Sequence, residues 1–143
     1  MYLLKIDGIS GDSTVRGFEG WFTLESYRWE VDGAAGGKTA GLPLTVAYST
    51  VAGLIAVEKK AATGARLARI ELQVVGGAPS RPNEWSFKIV LADPLVTPTA
   101  MAWNEGELST SWSFSDYSRA DVSSRSTDNT GQWTPISSAA WVR

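Results

Sequence analysis

Leu108, Thr110, Trp112 and Phe114 alternate with Ser109, Ser111, Ser113 and Ser115 without a break. A helix would scatter the four larger side chains around its circumference, whereas a strand puts all of them on one face. The stretch must therefore be a half-exposed strand, and its apolar face needs a second layer of side chains to cover it.

The same two-residue period recurs along the chain. Residues 2–31 open it as the organising element, a pair of strands joined through Gly8, Gly11, Gly17 and Gly20, with Tyr2, Leu4 and Ile6 on one face of the first strand. Leu44, Val46 and Tyr48 share a face in 42–48. Ala68, Ile70, Leu72 and Val74 do so in 66–75, against Leu67, Arg69, Glu71 and Gln73. Trp85, Phe87, Ile89 and Leu91 do so in 84–92. Residues 76–83, GGAPSRPN, make the turn between the last two strands. Residues 95–103 resume the pattern with Val96 and Met101 toward the core, and Pro98 marks this as an edge or bulged strand. A last strand carrying Trp133 and Trp141 is expected within 132–143.

Strand 21–31 differs, because Trp21, Tyr27 and Trp29 alternate with Phe22 and Leu24, so both faces carry large apolar groups. Either it is covered on both sides or its outer aromatics pack against another chain. Residues 32–41, DGAAGGKTAG, have no period and read as a loop, either an ordinary connection or a segment ordered against a neighbouring subunit. Residues 117–131 read as a second long loop. One helix is expected over 51–63, where Val51, Leu54, Ile55, Glu58, Ala61 and Ala62 follow three-and-four spacing. Ser49 or Thr50 would cap its start and Gly64 its end, with Lys59 and Lys60 near the negative end of its dipole. Seven or eight antiparallel strands and one helix in 143 residues make a mainly β chain, a small barrel or sandwich, of a size for one domain over 1–143.

Composition removes much chemistry. With no cysteine and no histidine there is no disulfide, thiol nucleophile, imidazole base or zinc site of the usual kind. Thirteen basic and 15 acidic residues give a net charge of -2, and the only basic doublet, Lys59-Lys60, is no footprint for nucleic acid or an anionic membrane. Asp7, Asp12, Asp116, Asp121 and Asp128 lack calcium-loop spacing, the glycine-rich GISGDSTVRG lacks the phosphate-loop pattern, and Ser13, Ser49 and Ser111 have no base partner. No catalytic residue, cofactor site or metal site is expected. No window is long and apolar enough to span a membrane, and MYLLKIDG is not a leader of the usual pattern. Seven tryptophans fit a core plus a subunit interface, with a sugar-stacking platform as the alternative.

DGISGDS at 7–13, followed by G-x-x-G-W-F-x-L-x-S-Y-x-W from Gly17 to Trp29, resembles the start of the Hcp family, the tube-forming proteins of type VI secretion systems. The similarity continues through Leu44 to Ser49 as a third strand, Ser49 to Gly64 as the helix, Arg66 to Val75 as the next strand, and Leu108 to Tyr117 before the closing segment. Phe18 stands where that family usually has histidine, Glu30 replaces a glycine, and the closing Y-x-P-Q is missing. The resemblance implies a small antiparallel β-barrel with one flanking helix, assembled as homohexameric rings that stack into the inner tube of a type VI or related contractile injection system. It further implies sheath, spike and baseplate partners, effectors as cargo in the channel, a cytoplasmic origin, secretion without a cleavable signal peptide, and no enzymatic activity. In that family the loop after the second strand reaches toward a neighbouring protomer or ring, here residues 32–41. A monomeric carbohydrate-binding β module is the alternative.

Overall fold

The computed structural model describes residues 1–29 and 42–142, apart from the side chains of residues 99 and 100. Nine strands and a helix follow in chain order: β1 (Tyr2–Ile6), β2 (Phe22–Trp29), β3 (Leu44–Tyr48), α1 (Leu54–Thr63), β4 (Arg69–Val75), β5 (Trp85–Ala92), β6 (Leu95–Asn104), β7 (Glu107–Ser115), β8 (Arg119–Ser124) and β9 (Ser137–Val142). All neighbours pair antiparallel in the order β6-β7-β3-β2-β1-β4-β5-β8-β9. The chain is mainly β with one helix, as the alternation requires. Among the described residues the expected barrel closure is not found: the strand order is linear, with β6 and β9 as edges.

The sheet nevertheless curls. Tyr27 of β2 stacks on Phe87 of β5, ring centroids 6.4 Å apart, although β1 and β4 lie between those strands. Inside the curl, Leu44, Val46 and Tyr48 of β3 meet Leu108, Thr110, Trp112 and Phe114 of β7, all of them buried. Phe22 sits edge-on to both Tyr48, at 5.1 Å, and Trp112, at 5.4 Å. Each such aromatic pair adds about 0.5–1.5 kcal/mol beyond the area it buries. Leu54 and Val57 of α1 join the same core, and Gly64 ends the helix in the left-handed conformation, its N–H bonded to the carbonyl of Ala61.

Three local expectations are corrected. The helix begins at Leu54 behind Gly53, without a side-chain cap; Thr50 instead donates to the Tyr48 hydroxyl, which donates to the Ala52 carbonyl at 2.7 Å. That arrangement uses the tyrosine to tie down the β3–α1 turn. The two-sided appearance of β2 comes from a bulge: Leu24 pairs with Tyr48 and Ser26 with Ala47, which leaves Glu25 extra and shifts the phase of alternation. Phe22 and Leu24 before the bulge, and Tyr27 and Trp29 after it, thus all pack against one core. Part of the expected loop 117–131 is strand β8, whose Ala120 is buried among polar neighbours, and the last strand starts only at Ser137.

The back of the sheet is covered as well. Leu3 is fully buried with Phe18 and Val75, because the β1–β2 connection folds back over β1 through bonds from Gly11 N–H to the Gly20 carbonyl and from Ser13 N–H to that of Trp21. Phe18 meets Trp21 edge-on at 4.9 Å there. On β4, Gln73 is buried on the face expected to be exposed. Leu67 is buried and Ala68 exposed, the reverse of the alternation reading, because β4 begins only at Arg69 and the Leu67 N–H bonds to Pro94 in a connecting segment.

Candidate assembly surface

Several of the polar groups considered for chemistry are occupied with local structure. Asp12 accepts from the Thr23 N–H at 2.9 Å. Asp128 accepts from the Thr130 hydroxyl and from the N–H groups of Thr130 and Gln132, which hold its carboxyl below the ordinary range. Arg119 does the same for Asp121, and the Trp133 indole N–H, with Arg81, for Glu84. A carboxyl held ionised is poorly suited to donate a proton. Asp116 pairs with Arg66, and Ser13 is buried with its hydroxyl accepting from Val15 N–H. Burial pushes the Tyr48 hydroxyl up to about 12. Among the described residues no group of three or more carboxylates, histidines or cysteines could hold a metal ion.

The tryptophans divide in the same way. Trp112 is core, Trp29 packs against Tyr117, Trp21 against Phe18, and Trp141 against the core. Arg125 lies between Trp85 and Trp133, 4.0 and 4.1 Å from their ring centroids, and Lys88 stands over Trp85 as well. Their π-faces are thus taken by cations of the same chain. Trp103 is the tryptophan left well exposed, at 60%. One exposed indole is no platform for a run of sugars.

Trp103 belongs to a small apolar surface. The β6–β7 hairpin turns through Glu105 and Gly106, both at positive φ, the geometry a two-residue hairpin loop requires. Since β3 ends its pairing with β7 at Tyr48 and Thr110, the hairpin tip with Trp103 projects beyond it, and Met101, opposite Thr110, stands at the base of the tip. Beside the tip, the β3–α1 turn and the first turn of α1 present Val51 and Ile55. These four residues are 52–66% exposed, and a groove of about 550 Å³ runs between Val51 and Trp103 with Glu25 and Glu107 at its margins. Exposed apolar groups gathered at one place and rimmed by charge mark a protein contact.

Sequence reasoning expected the contact elsewhere. The aromatics of β2 after its bulge face the core and are not available to a neighbour. Residues 32–41 lie outside the described residues. The hairpin tip was foreshadowed only by Met101 and Trp103 immediately before the Asn-Glu-Gly turn, apolar groups placed where no strand partner remains to cover them.

Residues 3–127 match the family model described as type VI secretion system effector, Hcp. No curated protein matches the sequence. Among solved structures, a type VI secretion system effector from Yersinia pestis superposes with a TM-score of 0.80 at 14% identity, covering 100% of both chains. Hcp2 from Salmonella typhimurium gives 0.73 at 15%, covering 99% of this chain and 94% of its own. The secreted protein Hcp3 from Pseudomonas aeruginosa gives 0.67 at 14%, covering 99% of each. At such identities the structural likeness speaks for the fold alone, while the family match reaches across most of the sequence: the chain belongs to the Hcp family of type VI secretion system proteins.

Proposed function

We propose that this protein is a structural tube subunit, with residues 1–143 acting as one Hcp-like unit that forms ring-shaped, hexameric homo-oligomers. Rings stack into the inner tube of a type VI or related contractile injection system, beside sheath, spike and baseplate proteins, and their channel takes effector proteins as cargo. The family match over residues 3–127 carries this reading. The groove between the exposed Val51 and Trp103, the exposed Ile55 and Met101, and the two sheet edges support it, since a closed assembly covers them. The work is mechanical and interfacial, with no bond chemistry. The subunit is cytoplasmic before assembly and is then secreted as part of the tube.

Light scattering and negative-stain microscopy of the purified protein test the proposal. Rings are expected, and Met101→Ser with Trp103→Ser should release monomers whose far-ultraviolet circular dichroism is unchanged. A wild-type protein that stays monomeric up to millimolar concentration refutes it.

A further inference from the structure

We infer that the groove between Val51 and Trp103 receives an arginine side chain carried, beside an apolar residue, on an exposed segment of a different protein. The groove is aromatic and acidic. Trp103, Val51 and Leu108 supply its apolar surface, Glu25 and Glu107 supply carboxylates, and no basic residue lines it. Among the described residues neither carboxylate has a hydrogen-bond or ion-pair partner. Glu25 reaches the groove as the extra residue of the β2 bulge, a device that re-aims a side chain out of the regular alternation.

The same chain shows how such a set of groups is satisfied. Glu84 accepts from the Trp133 indole N–H at 3.1 Å and from Arg81 at 3.3 Å, while the Arg125 guanidinium lies 4.1 Å from the Trp133 ring centroid. Indole, carboxylate and guanidinium complete one another there. Beside the 60% exposed Trp103 the chain provides the indole and two carboxylates but no cation of its own among the lining residues. Arginine suits the place better than lysine, since a planar guanidinium lies flat on an indole while its N–H groups fork to a carboxylate. A second copy has little to offer: of its described arginines most are engaged, Arg66, Arg69, Arg81 and Arg119 with carboxylates of their own chain and Arg125 with two indoles. In the assembled tube it is therefore the partner protein that covers the groove. Ile55 and Met101, which do not line it, are left to the contacts between copies.

A peptide array probed with full-length protein tests this. Pentapeptides carry arginine at the centre among valine, leucine, serine and glycine, and matched sets carry lysine or glutamine there. The strongest arginine peptides are then titrated by fluorescence anisotropy against wild type, Glu25→Gln, Glu107→Gln and the double variant, each with a circular dichroism spectrum matching wild type, and ring counts by microscopy are taken with and without peptide. Arginine peptides with an apolar neighbour should bind about ten-fold more tightly than their glutamine counterparts and about three-fold more tightly than the lysine ones, and the double variant should lose about ten-fold. Ring counts should not respond to peptide. Absence of binding, failure to prefer arginine over glutamine, or full binding by the double variant overturns the inference. Peptides that bind and dissolve the rings show that a second copy fills the groove, which overturns the inference and leaves the ring reading intact. Arginine-selective binding by a wild-type protein that forms no rings supports the inference and refutes the ring reading alone.

Discussion

Gly53 and Gly64 bracket α1, both in the left-handed conformation at φ 73° and 65°, but with opposite surroundings. A Cβ on Gly64 would meet no heavy atom within 4 Å. A Cβ on Gly53 would stand 2.6 Å from the Ser10 carbonyl oxygen and 2.7 and 2.8 Å from atoms of the Phe22 ring. Neither neighbour can give way easily: one is backbone, and the other is a fully buried ring held by Tyr48 and Trp112. Alanine at either site carries the left-handed cost of roughly 1 kcal/mol. At Gly53 alone, overpacking adds about 1–3 kcal/mol, so Gly64→Ala should cost about 1 and Gly53→Ala about 2–4 kcal/mol. With a urea slope of about 2 kcal/mol per molar, the midpoints should fall by about 0.5 M and about 1–2 M. The measurement is a fluorescence-monitored urea titration at one fixed protein concentration, since assembly would otherwise shift the baseline. Midpoints that agree within about 0.3 M would refute the packing argument, as would a larger loss at Gly64.

Inserting one alanine between Ser26 and Tyr27 reverses the phase of alternation after the β2 bulge and turns Tyr27 and Trp29 away from the core, losing their contacts with Phe87 and Tyr117. The cost should exceed about 4 kcal/mol, with near-ultraviolet circular dichroism collapsing, whereas Glu25→Ala should change stability by less than about 0.5 kcal/mol. Arg66 donates to the carbonyls of Asp93 and Asp116, each at 2.7 Å, and holds together two turns whose aspartates have positive φ. Arg66→Ala should cost about 1 kcal/mol in the same titration. Glu84, Asp121 and Asp128 have carboxyl groups held below their ordinary values of 4.5, 3.8 and 3.8. Depressed carboxyls contribute stability that is present above those values and lost as pH falls through the lower folded ones, so Tm should drop as pH falls below about 4.5 and Asp128→Asn should flatten part of that limb.

Strict alternation in β3 and β7 put the right residues inward because both strands are unbulged there and covered on one face. The same reasoning misread β2, since one extra residue reverses the phase of everything after it and Glu25 carries no mark of being that residue. β8 was invisible for a different reason. Arg119, Asp121, Ser123 and Ser124 look like loop, and only pairing with β5 on one side and β9 on the other makes them strand. Openness of the sheet depends on which strands neighbour each other, a long-range fact that local periodicity does not encode. The apolar surface at the hairpin tip was legible as residues but not as a place, because its exposure depends on β3 ending at Tyr48, before the turn through Gly53 that starts α1 at Leu54.

The central position of β1 also has a meaning in time. Its partners are β2, which follows within a short stretch of chain, and β4, whose pairing with Tyr2 waits for Val74. β3 must wait longer still, since its second partner begins at Glu107. A chain leaving the ribosome from its N-terminus therefore exposes a three-stranded sheet of β1, β2 and β3, whose β1 edge stays open until β4 (Arg69–Val75) is made and whose β3 edge stays open until β7 begins at Glu107. Sequestering those two transient edges is the hazardous interval in the life of this subunit, and the β1–β2 connection that packs Phe18 over Leu3 is already made when it begins.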